Sequence, residues 1–427
     1  MSQHQRRNKN EKTFTALQWN CRRLRGKKSE LKLRLYERKI PVDVIMLQET
    51  HEADIKLTGY IKYDQPSVTL TVKGKTRVQP QVAILVRKDL PQQQVDTREW
   101  CTDSQEVVAV LVESECDGPI LVVSVYYRPR TSTARKTRAE IDHGWVEKLV
   151  REYGKKRKHA ILVGGDFNAE HEEWGYAKSS ARGAELLRRA TDMGLVLINE
   201  PGTKTRTAPS IKQQDTTLDL TWTDPHTARK TEWRVFEDAW GSDHHPIETC
   251  IVGRAKRHKK HRTAKTTVWD DFRTILEGST GTKLDDLTKL IRNAARAATV
   301  ETLIEKEAPI PDTRLLSLWR KRTNHLRRYR RTRKRRDIRK ANRYAKEAQR
   351  HASRLCRDDW IKSCEKFNER TSLRRMWAVC NAMLGKSKGC NTAPNMALAQ
   401  SKEITKILDE IGDVFFPQPA TSQPQNL

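Results

Sequence analysis

The sequence predicts a mixed α/β domain of layered sheets and helices over residues 13–252, followed by a basic, mostly helical region. Three observations carry this. Short apolar, β-branched runs recur through the first part, each bounded by Gly, Pro, Asp or Asn. Helical stretches lie between them. Past residue 253 this grammar stops, and Lys and Arg accumulate.

Strands are expected, in order, at TFTALQW, VDVIMLQ, QVAILVR, VVAVLVE, ILVVSVYY, HAILVGG, LVLIN, LDLTWT and PIETCIV. Several are apolar on both faces, which argues for sheets covered on both sides. Helices are expected at 29–39, 143–153 and 183–193. The stretch GRAKRHKKHRTAK, 253–265, reads as an exposed basic linker. From 267 to 386 helical patterning is expected with no strand, LDDLTKLIRNAARAATVETLIEK included. From Arg314 to Arg357 the only acids are Asp337 and Glu347. Ala341, Ala345, Ala348, Ala352 and Leu355 form one narrow apolar stripe there. The expected boundaries are a disordered basic tail at 1–12, the α/β domain at 13–252, the linker at 253–265, a helical connector at 266–390 and a mostly disordered tail at 391–427.

The formal charge of +29 points to a polyanion, of which nucleic acid is the commonest. No apolar stretch approaches the roughly 18 residues of a spanning helix, so no membrane partner is expected. The eight cysteines are scattered and form no CxxC, which fits reduced thiols in an intracellular compartment. His351, Cys356 and Cys364 match no common zinc spacing. RTRKRR at 331–336 has the composition of a nuclear import signal, so a nuclear location is expected.

The candidate chemistry lies at strand ends. GGDFNAEHEEWGY begins at residue 164, and alternation places Asp166 and Asn168 on one face with Phe167 on the other. A carboxylate with an amide can orient a water and accept its proton. Asp-x-Asn after a strand is also ordinary turn chemistry. Glu49 follows VDVIMLQ; a single carboxylate there suits Mg²⁺, which keeps several waters, although alone it also reads as a surface acid. Asn20 ends the first strand, Tyr126 and Tyr127 precede Pro129, and Asp219 lies in an apolar strand where a lone acid is costly. Asp243, His244 and His245 precede the last strand. A His held by a buried Asp can bind a phosphate oxygen as imidazolium.

The ordered motifs QWN, QET, YYRP, GDFNA, LD and GSDHHP resemble the endonuclease/exonuclease/phosphatase superfamily. The chain is most similar to the apurinic-endonuclease-like domain of non-LTR retrotransposons. HEEWGY and RGAELLRRATDMGLVLINEPGTKTR resemble the Jockey and CR1 kind, tick transposons included. The basic helices resemble the connector before a reverse transcriptase. None follows before Leu427, so a fragment or a truncated or domesticated copy is expected. The resemblance implies a four-layer α/β sandwich and a Mg²⁺-dependent endonuclease, with Mn²⁺ as a substitute, that nicks double-stranded DNA for target-primed retrotransposition. Element RNA is a further expected partner for the basic helices. The resemblance also implies roles: Glu49 holds the metal with Asn20 and Asp243, Asp166 activates water positioned by Asn168, and His244, oriented by Asp219, binds the scissile phosphate. Tyr127, two before Pro129, would contact the phosphate or leaving group. Repair members carry an acid where this chain has Arg22, which argues against abasic-site repair. A phosphatase or phosphodiesterase of the same fold and an inactive nucleic-acid-binding relic are the alternatives.

Overall fold

The apolar runs become two six-stranded mixed sheets. The first has the order β13 (Thr231–Val235), β14 (Ile247–Arg254), β1 (Glu11–Asn20), β2 (Val44–Gln48), β6 (Val82–Arg87), β3 (Tyr60–Tyr63). The second has the order β11 (Val196–Leu197), β12 (Asp219–Thr223), β10 (Ala160–Asp166), β9 (Gly118–Tyr127), β8 (Gln105–Ser114), β7 (Gln92–Val95). Two hairpins stand apart: β4 (Thr69–Val72) with β5 (Lys75–Val78), and β15 (Thr263–Thr267) with β16 (Thr299–Leu303). This computed structural model describes residues 11–38, 41–52, 54–65, 69–72, 75–78, 80–114, 116, 118–129, 140–254, 263–267, 269–277, 284–303, 311–365 and 376–377. Residues 1–10 of the expected basic tail, 255–262 of the linker and all of 391–427 lie outside the described residues.

The sheets pack face to face. Phe14, Ala16, Val44, Met46 and Ile84 of the first meet Val108, Val110, Ile120, Val122 and Leu162 of the second. The second sheet's outer face packs on α2 (Gly144–Leu149), which continues as a π-helical stretch Val150–Lys156, and on α3 (Ala181–Asp192). The first sheet's outer face packs on α1 (Lys28–Glu37). Helix, sheet, sheet, helix: the four expected layers are present. Each sheet contains one parallel pair, β1–β2 and β9–β10, so these four strands end at the same edge. Gly164 and Gly165 serve close approach and not a turn. A Cβ on Gly165 would stand 2.0 Å from Val125 O, and one on Gly164 2.4 Å from Gln18 Oε1.

After α4 (Pro225–Ala228) and β14, the chain forms two compact units: residues 1–255 with 309–427, and residues 256–308. The smaller unit holds α5 (Trp269–Glu277), α6 (Leu284–Ala297) and the β15–β16 hairpin. This corrects two expectations. Thr263–Thr267 falls largely within the stretch read as linker, and Thr299–Leu303 in a stretch read as helix; both are strands. The physical reason is the β-branched pairing of TAKTT with TVETL, which a helical stripe at three-four spacing obscures.

In the larger unit, α7 (Thr313–Thr332) and α8 (Arg335–Glu365) pack together against the sandwich. The alanine stripe is the buried face: Ala348 and Ala352 join Leu315, Leu318 and Trp319 around Leu33 of α1. Ala341 joins Leu326 and Ala239. No helix of the described residues is long and apolar enough to cross a membrane.

Candidate active site

The strands that end together deliver one polar cluster. Asn20 closes β1, Glu49 follows β2, Asp166 closes β10 and Asp219 opens β12 directly opposite Asp166. His244 lies just before β14. The backbone turns sharply around them: Arg22, Arg23, Glu49, His51, Asn168 and Trp240 all have positive φ, a conformation that costs free energy and concentrates at functional sites.

Ligating atoms of Glu49, Asp166 and His244 lie within 4.8 Å of one another. The Asn20 amide bridges the two acids, Nδ2 donating to Glu49 Oε1 at 2.9 Å and to Asp166 Oδ2 at 2.8 Å. His244 Nδ1 donates to Asp219 Oδ2 at 2.8 Å, and Nε2 faces Asp166 Oδ2 at 4.0 Å. Asp219 is fixed in turn by Thr205 Oγ1 at 2.7 Å and by Asn199 Nδ2 on its carbonyl at 2.9 Å.

Electrostatics follow from burial and pairing. Burial raises the Asp166 carboxyl to about 7; Asp219 and Glu49 push the same way, against His244 and the Asn20 hydrogen bond. Burial alone would depress His244, but Asp219, by charge and hydrogen bond, raises it to about 9 with help from Asp166 and Asp243. His244 is therefore an imidazolium at neutral pH, held by one carboxylate and aimed at another.

Other expected site residues stand differently. Asn168 lies past the strand end: its N–H donates to Asp166 Oδ1 at 3.1 Å and its Nδ2 to Tyr127 O at 2.8 Å, so it braces the turn. Tyr127 is a correction. Its ring packs on Phe167 and its hydroxyl accepts from Trp145 Nε1 at 3.0 Å beside His143, on the helix-covered face. Tyr126 is the tyrosine on the site face. It pairs in register with Asp166, and Glu49 and Asp166 both act on its hydroxyl by charge. Burial first, then Glu49 and Asp166, raise that hydroxyl far above its usual value. The sequence held the signal: Ser124 shares Tyr126's face, and a polar residue in that run marks the side with polar partners. Asp243 is also corrected. It is not among the Glu49, Asp166 and His244 group, and its Oδ2 pairs with Arg22 Nη1 and Arg206 Nε, each at 3.0 Å. His244 first, then Arg206 and Arg22, hold its carboxyl low against the opposing effect of burial. Its Oδ1 is buried without a hydrogen-bond partner. Arg22, exposed, thus pairs its guanidinium with Asp243.

The donor set fits a hard divalent cation: two carboxylates with an amide beside them. Cys21 Sγ is turned away onto Gln48 O, and His351 pairs with Asp312, so the described residues offer no zinc cluster.

Two face-to-face sheets, their helical layers and the strand-end cluster are similar to the endonuclease/exonuclease/phosphatase fold. Residues 120–248 match the family model described as endonuclease-reverse transcriptase. The chain is similar to the RNA-directed DNA polymerase from mobile element jockey of Drosophila funebris, 26% identical over 221 residues, 50% of this chain and 21% of that protein. It is similar to an RNA-directed DNA polymerase from transposon BS of Drosophila melanogaster, 28% identical over 188 residues, 42% of this chain and 18% of that one. It thus spans about a fifth of the length of the curated relatives it matches. Among solved structures, the endonuclease domain of TRAS1, a telomere-specific non-LTR retrotransposon, is 24% identical, with 58% of this chain and 100% of that chain covered at a TM-score of 0.44.

Proposed function

We propose that the domain is a Mg²⁺-dependent endonuclease that nicks double-stranded DNA by hydrolysing a phosphodiester. The observation that carries this is the Glu49–Asp166–His244 cluster, with Asn20 bridging its acids and Asp219 holding His244. Glu49, with Asn20 beside it, would hold the cation. A bound cation supplies charge stabilisation on the phosphate and departing oxygen. Asp166 accepts the proton of the attacking water. Asn168 keeps the Asp166 carboxylate oriented through its backbone N–H. His244, charged and fixed at Nδ1, donates from Nε2 to a phosphate oxygen. Tyr126, in register with Asp166 and electrostatically coupled to Glu49, would donate at the same phosphate.

Nucleic acid is favoured as substrate by charge. Lys321, Arg328 and Arg331 are exposed and line a groove on α7. Such cations suit the phosphates of a DNA duplex, with element RNA as a second polyanion. The two Drosophila relatives are reverse-transcriptase proteins of mobile elements, which supports a role in target-primed retrotransposition.

The test is conversion of supercoiled plasmid to nicked circles with Mg²⁺, repeated after chelation and with Glu49→Gln. Nicking that stops on chelation and needs more Mg²⁺ in the variant supports the assignment. Activity that survives thorough chelation overturns it.

A further inference from the structure

We propose that Arg330 of α7 is a positioning residue for His244, so that the basic helices complete the active site as well as attract DNA. The proposal rests on the nuclease reading above.

Tyr329, Arg330 and Arg333 lie at the end of α7 and face the segment Thr203–Thr217. Tyr329 is fully buried and its hydroxyl donates to Ala208 O at 3.0 Å. Arg333 pairs with Asp215 at 2.9 Å. Between them, Arg330 uses its fork twice: Nε donates to Thr207 Oγ1 at 3.1 Å, and Nη2 to His245 Nε2 at 2.5 Å. His245 is in the tautomer this needs. Its Nδ1 stands 2.8 Å from Phe236 O, which can only accept, so Nδ1 carries the proton and Nε2 the lone pair.

From there the path to the site is short. Segments 205–207 and 243–245 are laced by His245 N donating to Thr205 O at 2.7 Å and Thr207 N donating to Asp243 O at 2.8 Å. Thr205 Oγ1 donates to Asp219 Oδ2 at 2.7 Å, and Asp219 holds His244 Nδ1. Arg330 therefore holds His245, next to His244, and Thr207, two residues from the Thr205 that bonds Asp219, from a helix more than eighty residues downstream. With both guanidinium contacts directed inward, its geometry is that of a brace. A shift of about 1 Å in a catalytic group can cost on the order of a hundredfold in rate.

The experiment uses the full chain, comparing Arg330→Ala, Arg330→Lys and Leu315→Ala. Leu315 is buried between α7 and α1, away from the site, and serves as a docking control. Three quantities are read: plasmid nicking at saturating and limiting DNA, Tm, and amide hydrogen exchange across 203–219 and 242–247. Arg330→Ala is expected to lower kcat at least about tenfold with KM within about twofold, and to speed exchange at 205–207 and 243–245. Arg330→Lys keeps the charge but loses the fork, and also falls short in kcat. Leu315→Ala lowers Tm at least as much, yet keeps kcat well below its melting range. Wild-type kcat in Arg330→Ala, or an equal loss in Leu315→Ala, overturns the proposal. So does full rescue by lysine with the change confined to KM, which would make Arg330 a phosphate contact. A wild-type chain that never nicks refutes the nuclease reading. The exchange comparison then decides the link by itself, and unchanged exchange in Arg330→Ala overturns it.

Discussion

Arg322 and Arg328 lie on the same face-changing helix, α7, and look alike in the sequence. Arg322 is 1% exposed and bonds Glu30 and Asp238, both buried, while Arg328 is exposed beside a groove of other cations. The α/β sandwich and the basic helices differ in the same way. In the sandwich, the polar residues of the site gather at one strand edge and bond one another. In the helices, one stripe of charge is spent on docking and the rest faces water. A run of Lys and Arg thus contains two kinds of residue, and only the partner on the sandwich tells them apart.

The largest effect expected is chemical. Asp166→Asn and His244→Ala should each lower nicking about a thousandfold or more with circular dichroism near wild type, while His244→Ala also lowers Tm because it strands buried Asp219. They share one cluster, so the double variant should lose little beyond either single one. Near-normal nicking by either variant removes that residue from the mechanism.

Next comes the contrast on α7. Arg322→Ala leaves buried Glu30 and Asp238 with Arg34 as their one remaining cation, and should cost about 3 kcal/mol of unfolding free energy. Arg328→Ala should stay within about 0.5 kcal/mol, yet lower the slope of log K against log salt by about one. Urea unfolding and DNA binding at several salt concentrations read both. Equal stability loss in the two would erase the distinction between docked and exposed arginines.

The interface should also be acid-sensitive. Burial, aided by Arg330, depresses His245 from its ordinary value to about 3. The unfolded chain takes up a proton near 6.5 and the folded one does not. Stability is therefore undiminished above 6.5 and is lost as pH falls from there toward 3. His245→Gln removes this link, so the wild type's advantage over the variant should shrink on acidification, by at most about 1.4 kcal/mol per pH unit. An advantage that stays constant from pH 7 to pH 4.5 would mean that His245 is not held neutral.

Much of this was legible beforehand, for identifiable reasons. Strands such as VAILVR and AILVGGD are buried on both faces, so composition alone marks them. β3 and β13 were missed because YIKY and TEWRV carry charge on half-buried strands of the sheet edges. Glu49, Asn20, Asp166, Asp219 and His244 converge because parallel strands end together, which a motif order can encode. The tyrosine was misassigned because adjacent residues face opposite ways and two consecutive tyrosines hide the parity. Arg330 could not be seen at all: its partners Thr207 and His245 lie far upstream and nothing local marks it.

The smallest effect concerns target choice, where the same contrast operates within one loop. Its base is anchored: Arg206 pairs with Thr216, Ala208 N donates to Asp215 Oδ1, and Arg333 holds Asp215 from α7. Its tip, Ile211, Lys212, Gln213 and Gln214, is exposed. Lys can hold a phosphate and Gln can hydrogen-bond a base edge, so the tip is suited to touch DNA while the base carries the link to Asp219. Groove width and deformability give only a loose preference, not a strict site. Replacing 210–214 with Gly and Ser should therefore flatten the distribution of nick positions on a long duplex while keeping the rate on the best substrates within about twofold, because Asp215 and its arginine remain. If nick positions stay the same, the tip does not choose the target. If the rate collapses with the pattern, tip and base act as one body and the division drawn between them is wrong.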